Sequence, residues 1–201
     1  MAGLRQAEER RILDRPHSSG QATTLSIRLT TLAALALLAA PVAAEELAAP
    51  DFFAAAICQP PYSFGNARTL YEAAEKLAKP DTSRLGGAVY HLPAPITRDG
   101  FATQDILFAG SAFGVLIEGE VAAKLAETYH LAPESSHLFG ASSLGFTRAL
   151  PDADQPMKDM GLVSIVARQG PGLKGRTMLA CEFVSDDDRE RLEMFEKEQG
   201  K

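Results

Sequence analysis

Gly161-Leu162-Val163-Ser164-Ile165-Val166-Ala167-Arg168 and Arg176-Thr177-Met178-Leu179-Ala180-Cys181-Glu182-Phe183-Val184 are the two stretches whose reading decides the fold. In both, apolar side chains recur with the period of two that places successive residues on opposite faces of a strand. Leu162, Ser164 and Val166 share one face of the first, and Thr177, Leu179, Cys181 and Phe183 share one face of the second. Between them stands Gln169-Gly170-Pro171-Gly172, and glycine with proline at that point turns the chain back into an antiparallel hairpin.

Working outward, residues 101–109 and 112–118 are apolar runs around Gly110-Ser111, the spacing of a second tight hairpin. Residues 85–92 are strand-like and end at a bend containing Pro93 and Pro95. Residues 138–150 are extended but rich in Gly and Ser, which leaves their limits vague.

Helical spacing appears three times. Asn66 caps a helix over 67–79, with Leu70, Ala73, Ala74 and Leu77 in step and Pro80 ending it. A second helix spans 120–130, with Val121, Leu125 and Tyr129 in one stripe and Glu120 four residues before Lys124. Ser185 and Asp188 form a capping signature for a third over 186–198, which carries Leu192, Met194 and Phe195. A short apolar segment at 51–58, closed by Gln59-Pro60-Pro61, has room for one or two helical turns.

The order is therefore helix, three strands, helix, three strands, helix. That predicts an α+β class, an antiparallel sheet with helices packed on one face. It also suggests two α-β-β-β repeats. Ala73-Ala74-Glu75-Lys76-Leu77-Ala78 resembles Ala122-Ala123-Lys124-Leu125-Ala126, and Leu92-Pro93 recurs as Leu150-Pro151. The offsets, about 49 and 58, are unequal, so the loops of such repeats would differ in length.

The N-terminal region reads as an export signal. Leu32 to Ala40 is nine consecutive apolar residues, preceded by Arg28 and followed by Pro41-Val42-Ala43-Ala44. Small side chains at Val42 and Ala44 suit a signal peptidase, so cleavage is expected after Ala44. The sixteen residues from Leu29 to Ala44 fall short of the ~20 that a spanning helix needs. An uncleaved anchor and a buried core helix are the competing readings. Cys58 follows Ile57 rather than a small residue, which disfavours a lipid-anchored form. The polar residues 1–27 are long for a signal, either as an extended leader or because translation begins nearer the apolar stretch. Residues 1–44 are thus leader and signal, and 45–201 a single exported domain.

The leader holds five of the 20 basic and three of the 26 acidic residues, leaving 15 basic against 23 acidic, a net charge of −8. Such a domain lacks the positive face that nucleic acid requires and is not drawn to anionic lipid. No membrane association is expected once the signal is removed, and the destination is periplasmic or extracellular. Cys58 and Cys181 are the only cysteines, and in an oxidising compartment an even pair is expected to form one disulfide. Two buried free thiols are the alternative.

No catalytic motif stands out. Gly140-Ala141-Ser142-Ser143-Leu144-Gly145 has one residue too many for a nucleophile elbow. Gly170-Pro171-Gly172-Leu173-Lys174-Gly175-Arg176-Thr177 resembles a phosphate loop, but its lysine precedes the glycine and Pro171 removes an amide. His91, His130 and His137 have no carboxylate at metal-ligand spacing. Asp186-Asp187-Asp188 is explained by helix capping rather than by calcium. No cofactor and no metal are therefore expected. These features point to an exported, non-catalytic binding or envelope-associated protein whose ligand is an unknown protein or small molecule. The alternative is a small exported hydrolase using His and Ser residues assembled by the fold. A histidine within hydrogen-bonding reach of a serine or carboxylate, inside a concave pocket, would favour the hydrolase.

Overall fold

Side-chain oxygens open the first two helices. Asp51 accepts a hydrogen bond from the Ala54 amide at 2.8 Å and starts α1, Phe52–Ala56. Ser63, in extended conformation, accepts from the Asn66 amide at 3.1 Å and starts α2, Phe64–Leu77. The cap of α2 is thus Ser63 rather than Asn66, whose side chain donates instead to the Pro61 carbonyl at 2.8 Å. The computed structural model describes residues 50–83, 86–134 and 144–198. The export signal, the cleavage site after Ala44 and His137 lie outside the described residues.

After a two-residue edge strand β1, Pro80–Asp81, the chain runs through β2, Ala88–Arg98, β3, Phe101–Ala109, and β4, Ala112–Glu118. The bend expected at Pro93 and Pro95 does not end β2. The pairing with β3 shifts register between His91 and Ile96, so the prolines, which have no amide to donate, sit where the ladder is interrupted. Asp99 and Gly100 both have positive φ, 51° and 82°, the requirement of a tight two-residue hairpin turn.

Helix α3, Ala122–Tyr129, starts later than its sequence pattern suggests. Its first amides are satisfied from the sheet: Val121 donates to Thr177 Oγ1 at 2.9 Å and Ala122 to Gln169 Oε1 at 3.1 Å. Glu120 therefore lies before the helix and gives no helical pair with Lys124, whose ammonium sits 5.1 Å over the Phe101 ring. His130 closes α3 in the left-handed conformation. Then come β5, Ala132–Pro133, β6, Leu144–Ala149, β7, Gly161–Gln169, β8, Arg176–Ser185, and α4, Asp186–Glu198. The turn between β7 and β8 holds a 3-10 segment, Pro171–Leu173, so the stretch resembling a phosphate loop is a hairpin connection. Ser185 Oγ accepts from the Asp188 amide at 3.1 Å at the start of α4.

The eight strands among the described residues form one antiparallel sheet in the order β1-β2-β3-β4-β8-β7-β6-β5. The class is α+β, with more strand than the sequence pattern indicated. The two hairpin systems meet where β4 pairs with β8, so the last strand of the chain lies near the middle of the sheet. Gly114 marks that junction: a Cβ there would meet the Leu179 carbonyl at 2.5 Å and the Ala180 Cβ at 2.7 Å. Register places Ile165 beside Cys181 and Cys181 beside Phe113. These alternate residues join Phe52 and Phe53 of α1, Leu70 of α2 and Leu125 of α3 in one core cluster. Leu162, Ser164 and Val166 occupy the other face of the sheet, as the period of two requires.

Cys58 and Cys181 are joined as a disulfide with Cα atoms 5.0 Å apart, and both residues are buried. The bond fastens the segment after α1 to the centre of the sheet. Among the described residues no helix is long and apolar enough to cross a membrane.

Candidate functional site

The segment held by this disulfide lines a cleft of about 500 Å³. Gln59, Pro60 and Pro61 line it together with Arg148, Leu150, Asp154 and Ile165 of β7. The volume falls within the roughly 300–1,000 Å³ of sites that bury a small molecule. The lining is largely apolar, with a few polar groups, the usual division between affinity and orientation. A smaller depression of about 270 Å³ shares Gln59 and Pro60 and reaches Asp51, Asn66 and Leu70.

Two polar side chains of the larger cleft, Gln59 and Arg148, are held by groups outside its lining. Arg98, at the end of β2, donates to Gln59 Oε1 at 3.0 Å and to Asp51 Oδ2 at 3.2 Å. A guanidinium can only donate, so the amide oxygen of Gln59 is occupied and its NH2 group is left as a donor. Arg148 Nε donates to the Tyr129 carbonyl at 3.1 Å. That carbonyl belongs to the last turn of α3, where unpaired acceptors and the negative end of the helix dipole gather. The rest of this half-buried guanidinium has no carboxylate partner among the described residues, and no ion pair joins Arg148 to Asp154.

The two described histidines lie apart from the cleft. His91 Nδ1 is 2.7 Å from Asp105 Oδ1, and Asp105 Oδ2 accepts from Arg176 at 3.0 Å. A carboxylate is thus within reach of His91, but the ring is 72% exposed and lines neither depression. No serine hydroxyl is hydrogen-bonded to it among the described residues. His130 is exposed and closes α3. Ser142 and Ser143 lie outside the described residues, and Ser111 Oγ donates to the Phe183 carbonyl at 2.5 Å. Among the described residues no group of three or more His, Cys, Asp or Glu side chains is placed to hold a metal ion.

A second charged cluster is fully engaged. Arg168 of β7 meets both oxygens of Glu182, at 2.9 and 2.8 Å, and also donates to Glu134 at 2.6 Å. The three side chains are only 16%, 14% and 9% exposed. Burial works against the charge on Arg168, but hydrogen bonds and charge from Glu182 and Glu134 outweigh it and raise its pKa further. Gly145 makes room for this cluster, since a Cβ there would fall 2.0 Å from Glu134 Oε2.

Comparison with known protein families, with curated proteins and with solved structures finds no match to this chain. The cleft must therefore be read from its own chemistry. Gln59 and Arg148 belong to no motif and are brought together only by the fold. One signal for Arg148 was present in the sequence: it shares strand parity with Phe146 and Leu150, so a cation stands at a position of the apolar face.

Proposed function

We propose that this protein is exported and acts outside the cytoplasm as a non-catalytic binding protein, with the cleft between Gln59 and Arg148 as its site. The observation that carries this reading is the cleft itself, a ligand-sized, mainly apolar hollow whose wall is fastened by a buried disulfide. The leader over residues 1–44, the net charge of −8 on the remainder and the disulfide all suit a soluble protein in an oxidising compartment.

The strand order supports an internal duplication, since each half contributes a helix followed by an edge strand and three paired strands. The helices of both halves pack on one face in this reading. The halves have diverged in use, because only the second contributes Arg148, Leu150 and Asp154 to the cleft.

The test is native mass spectrometry of protein recovered from outside the cytoplasm. A small-molecule adduct, or a captured partner, should be retained by the wild type and lost in Gln59→Trp, which fills the cleft from an exposed position. Equal retention by both proteins would remove the cleft from the account of function. The His91–Asp105 contact favours a second reading, a small exported hydrolase. That reading requires a serine-directed covalent probe to label the wild type and to fail on His91→Ala.

A further inference from the structure

We infer that the cleft takes a small organic acid, an apolar body bearing one carboxylate that docks on Arg148. This inference rests on the cleft being the binding site and adds the chemical class of its ligand. Two of the lining residues, Arg148 and Gln59, carry nitrogen donors. The guanidinium of Arg148 is fixed through Nε to the Tyr129 carbonyl, so its remaining N–H groups are held in a set direction, and among the described residues no carboxylate receives them. Gln59, pinned through its oxygen by Arg98, offers its NH2 as a second donor of the lining. A planar guanidinium with free N–H groups matches a carboxylate through two parallel hydrogen bonds. Leu150, Ile165, Pro60 and Pro61 provide the apolar surface for the rest of the molecule.

The contrast with Arg168 supports the assignment. In a domain with many more acids than bases, Arg168 is met by two carboxylates, whereas half-buried Arg148 is met by none among the described residues. Asp154, which also lines the cleft, is exposed and disfavours a second negative charge in the ligand. A ligand with a single carboxylate at the Arg148 end and nothing charged toward Asp154 therefore fits better than a diacid.

The experiment is titration of the exported, disulfide-bonded protein with three probes of equal chain length: octanoate, octan-1-ol and octylammonium. Binding is followed by calorimetry and by the NMR signals of the Arg148 Nε–H and of the Leu150 and Ile165 methyl groups. Octanoate is expected to bind at least about tenfold more tightly than octan-1-ol, as a charge-assisted hydrogen bond implies, and to shift all three signals. Octylammonium should be the weakest. Arg148→Gln should erase the preference for octanoate, Arg148→Lys should retain part of it, and Asp154→Asn should tighten octanoate a few-fold. Equal binding of octanoate and octan-1-ol, with methyl shifts, would overturn the carboxylate inference and leave the cleft as a binding site. Binding of octanoate without shifts at Arg148, or no binding of any probe to folded wild type, would overturn the inference as well. The adduct experiment above judges the cleft independently of these probes.

Discussion

Arg168 and Arg148 sit on neighbouring strands of one sheet, yet they are treated in opposite ways. Arg168 is wrapped by Glu134 and Glu182, with every described contact a short ionic hydrogen bond between largely buried groups. Arg148 is fixed by one backbone carbonyl and otherwise faces a cleft. The first arrangement satisfies charge within the protein, and the second leaves it to be satisfied from outside. Burial alone does not distinguish the two cations; the acceptors that surround each of them do.

The largest effect is expected at the disulfide, because it fastens the Gln59 segment of the cleft to the sheet. Closing a loop of 123 residues contributes on the order of 4–5 kcal/mol in the loop-entropy view. Cys58→Ala/Cys181→Ala should lower the stability measured by urea unfolding by about that amount. A loss below about 1 kcal/mol would mean that the cleft wall does not depend on the bond. Next, Arg168→Met strands two largely buried carboxylates, and removing one partner of such a cluster costs roughly 3–5 kcal/mol. Arg148→Met should cost only about 1 kcal/mol, the worth of one hydrogen bond. Equal losses at the two arginines in urea unfolding would erase the distinction drawn between them.

The smallest effect should be at His91. It lies on the solvent side of its contact with Asp105, so His91→Ala should shift stability by no more than about 0.5 kcal/mol. A large loss in the same unfolding experiment would give that exposed pair a structural weight that its surroundings do not suggest.

The parts of the fold legible in the sequence are those in which local pattern and tertiary context agree. Residues 101–109 and 112–118 form β3 and β4 as their alternation and the glycine between them require. Residues 176–184 fall within β8, with Leu179, Cys181 and Phe183 in the core. The pattern failed where distant groups intervened. The start of α3 is set by Thr177 and Gln169, which reach it across the sheet. Strand β2 continues past Pro93 because a shift of register absorbs the missing amides. Neither arrangement is encoded within a window of neighbouring residues.

The cleft was less legible for the same reason. Gln59 lies in a proline-containing link and Arg148 in a strand whose Gly and Ser content blurred its limits. Their relation depends on Arg98, Tyr129 and the bond between Cys58 and Cys181. What the sequence did supply was the cysteine pair, because compartment and even number constrain it without any knowledge of the fold.

The proposed function joins two claims, that the Arg148 cleft is built on the disulfide and that it is used outside the cytoplasm. The most direct measurement is the intact mass, under non-reducing conditions, of protein recovered from outside the cytoplasm, with alkylation before and after reduction. The expected result is a chain beginning at Glu45 whose two thiols react only after reduction. A soluble chain retaining residues 1–44, or two thiols alkylated without reduction, would contradict it.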